Sequence, residues 1–490
     1  MARCWTPRVI ASGALLVALA ADSAACGFDP ASFAADYADG LRGKVSTDAI
    51  VAHLEQFQNI ADEHGGTRQT GTPGYDASVV YVAEALQDSG FDVEFAEFDL
   101  GVFRVIKESL SVDGVGVPAQ AVEYSGATSP AGVTGPLVVV PSGRSQGCEP
   151  ADLDGLSTTG AVVMVDRGGC DLSAKVTVAS ARGAAAIVIA NNVDEKAFSG
   201  ALVEADRVRL PVLHVTRTVG SWLRGRTGVT RAVVESRVER VRSRSVVAQT
   251  KTGSAHDIVL VGAHLDSVRL GPGINDNGSG VAAVLETALQ MGSSPSIRNA
   301  VRFAFWGGEE QWLLGSTSYT KSLDIRSLKD IALYLNFDTV ASPNTGYLVL
   351  DGDAFHAAEA GAVPPEGSGG IKRALVDYLA GVGQTSQNLP FDGRGDYNSL
   401  VRAGIPAGAL CTGTELPMSA HQASIWGGRA GLPFDPNYHT PDDTLDNVSR
   451  SALEVTAPAV AYAVGLYAQD LGGRYGVPAY GDRTRQLIGD

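Results

Sequence analysis

Two histidines and four carboxylates occupy positions where chemistry could be done. The apolar run Ile258–Ala263 ends in His264, the run Ala300–Trp306 leads to Glu309 and Glu310, and the run Ile331–Phe337 ends in Asp338. Asp276 lies in the turn-prone NDNGSG, which reads as the opening of a helix, and His439 lies far downstream in DPNYHTPDDT. Several carboxylates cannot share a small, partly buried site unless some are protonated or a cation sits among them. Imidazole and carboxylate suit zinc, and three protein ligands per ion leave a position for water. Five of these six residues can serve two ions if one carboxylate bridges them. At a separation of about 3.5–4 Å, such a pair clamps an attacking water and polarises a substrate oxygen. The sixth residue, an unliganded carboxylate, is left as a base. Singly, each residue is weak evidence, since a lone His or Glu at a strand end is most often a cap or a surface group. The ordered series carries the inference.

An α/β sheet must position such a set. Apolar runs of roughly four to eight residues bounded by turn signals fit strands buried on both faces. In an open sheet of this kind, ligands bind outside the carboxyl ends of the strands. The three runs would therefore deliver their last residues to one edge. Around them, Asp48–Glu63 reads as a helix, with Ile50, Leu54 and Phe57 on one face and Gly65 as a stop. Asp76–Ser89 reads as a second, with Val79, Val82, Ala83 and Leu86 in register, followed by the alternating strand FDVEFAEF. His64 and Arg68, between these helices, could reach the substrate mouth but read first as surface groups. Downstream, Asn344–Gly370 is a long loop, Ile371–Ala380 a helix and GIPAGALCTGTE a strand and turn. Ser451–Leu471 is a closing helix capped by Ser449, and the Gly- and Arg-rich tail is expected to be loose. His256 is expected to be exposed ahead of its strand. His421, in HQASIWGG, is the main competitor of His439 as a ligand.

At 490 residues the chain is expected to form two or more domains. A net charge of −16 argues against a nucleic-acid partner. Arg3 and Arg8 precede the short apolar core Val9–Ala21 and the small residues Ser23-Ala24-Ala25, the pattern of a secretory signal too short to span a membrane. Cleavage after Ala25 would place Cys26 first, where a lipid anchor is the alternative to simple secretion. No later run has the length of a membrane span. Cys148 and Cys170 fall in one segment and could pair in an oxidising compartment, whereas Cys411 reads as an inert core thiol. Between about Pro118 and Glu235 the texture changes to short Val-rich strands separated by glycines, with no acidic cluster and with His214 read as structural.

The pieces GAHLDS, NDNGSG, FWGGEEQWLLGS, NFD, GRGDY and DPNYHTPDDT, in this order between Gly262 and Thr444, resemble the secreted di-zinc aminopeptidases of the bacterial leucyl-aminopeptidase type. DRGGCDLSAKVTVASARGAAAIVIAN resembles the protease-associated (PA) domain often inserted in such peptidases. The resemblance implies an α/β three-layer sandwich around a mixed, mainly parallel sheet, with the smaller β-rich PA domain inserted. It divides the chain into a signal (1–25), an N-terminal peptidase part (26–117), the PA domain (118–235), the catalytic part (236–472) and a tail (473–490). It implies two zinc ions, one held by His264 and Asp338, the other by Glu310 and His439, with Asp276 bridging. It makes Glu309 the general base, Asp266 the partner that orients His264, Tyr438 a donor to the oxyanion, and Arg394 part of the substrate site. His439 rather than His421 matches the family pattern. Relatives often flank the last His with paired cysteines; here Asn437 and Asp442 stand there, so a less rigid loop is expected.

The activity implied is hydrolysis of the N-terminal peptide bond of peptides or proteins with a free N-terminus, by a secreted chain expected to act as a monomer outside the cell. A carboxypeptidase or a glutaminyl-cyclase-like acyl transferase on a similar fold is a second reading, although two filled ligand sets argue against a one-zinc cyclase. A non-catalytic peptide-binding protein is a third, and such proteins lose ligands.

Overall fold

The computed structural model describes residues 30–141, 146–192, 200–202, 209–353 and 363–489. The expected signal segment 1–25 and Cys26 lie outside them, as does 354–362 of the expected long loop. The three apolar runs are adjacent strands. Ser254–His264 is central, with Asn299–Trp306 on one side and Ile331–Phe337 on the other, both parallel to it. Their apolar stretches are buried, as strands covered on both faces require. Parallel pairing brings their carboxyl ends to one edge, and Trp306 pairs opposite His264. Ala407–Cys411 continues the parallel order beyond Ile331–Phe337. Leu348–Leu350 follows, antiparallel, with Gln387–Leu389 beside it. On the other side the sheet turns antiparallel through Val229–Gln249 and Asp92–Val112.

Helices cover both faces of this mixed sheet, giving three layers. Thr47–Glu63, Pro73–Asp88, Gly280–Met291, Ser368–Gly381 and Arg450–Gln469 share one core with it. Leu314–Ser322, Ile325–Asp330 and Tyr397–Arg402 pack on the opposite face around Trp306 and Tyr334. The starts follow local rules. Ser46, Thr72 and Ser449 cap their helices by accepting from the backbone N–H three residues on, each worth about 1 kcal/mol.

Asp92–Val112 and Val229–Gln249 are unusually long, 21 residues each, and pair along nearly their whole length. One end of this ribbon belongs to the peptidase sheet. The other carries a second core, built from Val162–Asp166, Ala186–Ala190 and Val212–Val215 and joined by Phe103, Leu110 and Val112 from the ribbon itself. His214 is buried there, and desolvation pushes its imidazole down to about 3, so it is neutral as a structural residue should be. Cys148 and Cys170 are joined as a disulfide, S–S 2.07 Å, spanning 22 positions. Replacing both by Ser should lower the stability of this domain by roughly 3 kcal/mol through the unfolded chain's regained freedom. Guanidinium titration followed by near-UV circular dichroism, against an unmodified control, checks this.

Two expectations need correction. The tail is not loose: Arg483 is buried and donates to the carbonyls of His256, Lys329 and Pro478 and to Asp257. Arg485 likewise reaches the carbonyls of Leu328, Gly404 and Ile331. A guanidinium satisfies several orphan carbonyls at once, so a Gly/Arg-rich composition can strap a surface rather than fray. His256 is exposed, as expected, but lies inside its strand and pairs with Asp330 at 2.8 Å.

Candidate active site

The sheet edge collects all six residues singled out. His264 closes the central strand, Glu309 and Glu310 follow Trp306, and Asp338 follows Phe337. His264 Nε2 lies 3.2 Å from Asp276 Oδ1, 3.4 Å from Asp338 Oδ1 and 3.9 Å from Glu309 Oε2. His439 Nε2 lies 3.1 Å from Asp276 Oδ2 and 3.2 Å from Glu310 Oε2. Two sets of three result, His264–Asp276–Asp338 and Asp276–Glu310–His439, each with its donor atoms within 4.8 Å of one another. Asp276 belongs to both and offers a different oxygen to each. His421 is exposed on the short helix Ala420–Trp426 and joins neither set.

The side chains suit a cation. Asp276 Oδ2, Glu310 Oε1 and Asp338 Oδ1 are buried and make no aligned hydrogen bond, although imidazole nitrogens stand nearby. Buried acceptors left so are costly, and donors converging on shared centres explain them. Charge agrees. Burial opposes the imidazolium of His264, yet Asp338 and Glu309 beside it hold its pKa well above the ordinary value. Burial likewise opposes His439, and Glu310 and Asp276 outweigh it. Burial would raise the Asp276 carboxyl, but the two imidazoles hold it below the usual range. Glu309 goes the other way: burial, with Glu310, Asp396 and Asp338 adding, pushes it well above a normal carboxylate despite His264. A surplus of buried carboxylates with only two imidazoles among them is what a metal cation balances.

Asp266 stands beside His264 Nδ1 with two of its groups. The atom facing His264 Nδ1 is the backbone carbonyl of Asp266, at 3.1 Å, while the nearer carboxylate oxygen is 3.7 Å away. The Asp266 carboxylate also accepts from the backbone N–H of Glu309, at 3.3 Å, and of Glu310, at 3.4 Å. Asp266 thus fixes the imidazole through its main chain, and the acidic pair through its side chain.

Several residues of the surrounding frame carried no chemical signal in the sequence. Arg68 is not a surface group: it is fully buried. Its guanidinium donates to the carbonyls of Leu265, Pro272 (2.8 Å) and Gly273 (2.7 Å), pinning the loop between His264 and Asp276. Asp443 accepts from the backbone N–H of Asn275, at 2.9 Å, and of Asp276, at 3.0 Å. Asp435 accepts from Asn275 Nδ2 at 2.7 Å and from Asn447. These bonds tie the Asp276 turn to the His439 loop. The same network answers the missing cysteines: Asn437 donates to Asn447 Oδ1 at 2.8 Å, and its own N–H reaches Asp435 at 2.8 Å. Hydrogen bonds thus cross-tie the loop at the position where relatives carry the cysteine pair. Asp396 is also buried by the site, where desolvation pushes it up to about 7. Its motif GRGDY was noticed, but for Arg394.

Arg394 lines a cavity of about 160 Å³ with largely apolar walls, together with Asp338, Leu348, Leu416, Phe434 and Tyr438. It pairs with Glu415 at 3.2 Å. Tyr438 stacks on the His439 ring with centroids 3.8 Å apart, and His439 itself takes φ +60°.

The profile of peptidase family M28 matches residues 245–464 and that of the PA domain residues 133–223. The chain is 55% identical over 457 residues to the probable lipoprotein aminopeptidase LpqL of Mycobacterium tuberculosis, covering 93% of this chain and 91% of the relative. It is 34% identical to leucine aminopeptidase 2 of Trichophyton rubrum, covering 91% and 89%. Among solved structures, an aminopeptidase from Aneurinibacillus sp. strain AM-1 superposes with a TM-score of 0.64 at 25% identity, covering 86% and 94%. The fold is also that of BSAP, a zinc aminopeptidase from Bacillus subtilis: TM-score 0.69 at 24% identity, covering 86% and 94%.

Proposed function

Because the chain belongs to peptidase family M28 and is a zinc-dependent aminopeptidase, we propose that it removes apolar N-terminal residues from peptides at a two-zinc site. The observation that carries this reading is the pair of three-residue sets sharing Asp276, beside a largely apolar cavity of about 160 Å³. His264, Asp276 and Asp338 would hold one zinc, and Asp276, Glu310 and His439 the other. Zinc supplies Lewis acidity there, polarising the scissile carbonyl and acidifying the attacking water. Glu309, whose Oε2 lies 3.9 Å from His264 Nε2 and which belongs to neither set, takes a proton from that water and hands it to the leaving amine. Tyr438, held against His439, donates to the oxygen that gains charge. Asp266 keeps the acidic pair and the imidazole in place. Arg394 closes the cavity in which the first side chain sits, and the carboxylates around it favour the free α-amino group.

The PA domain is inserted between about 118 and 235, with the far end of the Asp92–Val112 strand joining its core, and the chain works as a monomer. It acts outside the cytoplasm, either secreted after loss of residues 1–25 or held through a lipid on Cys26. The relative named as a lipoprotein aminopeptidase supports the second route.

Hydrolysis of a chromogenic leucine amide tests the whole reading. We expect turnover that a chelator abolishes and zinc restores, and an N-acetylated leucine amide left intact. Cleavage of the blocked substrate at a similar rate would remove the α-amino requirement, and turnover indifferent to chelation would remove the metal.

A further inference from the structure

A second, smaller cavity of about 50 Å³ adjoins the other ligand set. Its walls include Glu310, Gln311 and His439, with Val268 and with Glu123 and Ala201 from the inserted domain. The apolar cavity borders the site at Asp338 and Tyr438, whereas this one borders it at Glu310 and His439. A peptide with its scissile carbonyl between the two sets and its first side chain in the apolar cavity presents its second residue here.

The walls are short of donors. Gln311 is 2% exposed and its Oε1 has no hydrogen-bond partner. Glu123 is 5% exposed. Both of its oxygens are met by one group, Gln69 Nε2, at 3.2 and 3.1 Å, and Arg269 Nε makes an ion pair with one of them at 3.5 Å. A carboxylate offers about four acceptor positions, so Glu123 retains unused capacity. Buried acceptors without donors are unfavourable, and a ligand that supplies N–H groups relieves them. The placement of Glu123 is fixed by its neighbour. The Tyr124 hydroxyl donates to the Gly101 carbonyl at 2.9 Å, and its ring lies 5.1 Å from that of Trp312, on the loop that carries Glu309 and Glu310.

We propose that this cavity receives the residue that follows the scissile bond, and that Glu123 of the inserted domain, with Gln311, selects a basic side chain there over an acidic one. The cavity's size suits an ammonium or part of a guanidinium, with the aliphatic stem lying toward the opening. The assignment rests on the aminopeptidase reading above and adds the second residue of the substrate to it. The inserted domain then contributes to the choice of substrate and not only to cover.

The test compares Leu-Lys-amide, Leu-Ala-amide and Leu-Glu-amide on the full chain. In the unaltered protein, kcat/KM for Leu-Lys-amide should exceed that for Leu-Glu-amide by about tenfold or more, as a charge-assisted hydrogen bond allows. In Glu123→Gln the ratio should fall toward unity, chiefly through a higher KM for Leu-Lys-amide, and in Glu123→Lys it should invert. A ratio within twofold of unity in the unaltered protein overturns the proposal without any variant having to fold. So does a preference that survives Glu123→Gln, or an equal loss on all three substrates, which marks a merely structural role. Failure to cleave any of the three, or the leucine amide, overturns the aminopeptidase reading, and this one with it.

Discussion

Glu309→Gln leaves zinc in place and lowers kcat by about 10³-fold or more, within the range that loss of a general acid–base group produces. The substitution keeps the size of the side chain, and the backbone N–H of residue 309 still donates to Asp266. Glu309 belongs to neither three-residue set, so metal content should not follow its charge. Its Oε2 nevertheless lies 3.9 Å from His264 Nε2, close enough to reach a water held between the sets. KM for a leucine amide should change far less than kcat, because the missing proton transfer belongs to the transition state. Metal analysis alongside steady-state kinetics checks both halves. Full turnover in the variant would take the base role from Glu309 and direct attention to Asp396, a buried carboxyl beside the site that desolvation pushes up to about 7.

The six clustered residues were legible in the sequence because three of their carriers are the simplest elements to read. A strand buried on both faces shows as an unbroken apolar run, so Ile331–Phe337 could be bounded to the residue, and the polar residue that ends it stands out. The frame was not legible, because its chemistry is mostly between side chain and backbone. Nothing in TRQTGTPG reveals that Arg68 turns inward to meet the three carbonyls of Leu265, Pro272 and Gly273, positions that are neighbours only in the fold. Asp443 reads as one more acid in a polar loop until the N–H groups of Asn275 and Asp276 are seen to point at it. Asp266 shows the same limit from the other side. Its type suggested a carboxylate beside His264, which stands at 3.7 Å, but the closer approach of its carbonyl, at 3.1 Å, depends on the register of the turn. Glu123 was invisible for a further reason: it lies in the inserted segment, whose sequence shows no acidic cluster, and its neighbours Gln69, Arg269 and Glu310 are distant in the chain.

Asp276→Ala should remove more than any other single ligand change. Its two oxygens face different imidazoles, so the variant takes a donor from both sets at once, whereas Glu310→Gln touches one. Structural and catalytic zinc alike need at least three protein donors for tight binding, and each set would drop to two. We expect zinc to fall from two per chain to less than one, and kcat/KM to fall by at least about 10⁴-fold, more than Glu309→Gln, since proton transfer and Lewis acidity fail together. The fold should persist, because the main chain at this turn is held by Asp443 and by the Arg68 bonds to the loop before it, none of which uses the Asp276 carboxylate. Glu310→Gln, prepared in parallel, should keep about one zinc. Equal zinc loss in the two variants would mean that the sets empty together for a reason other than a shared ligand, and retention of two zinc ions by Asp276→Ala would end the bridging assignment.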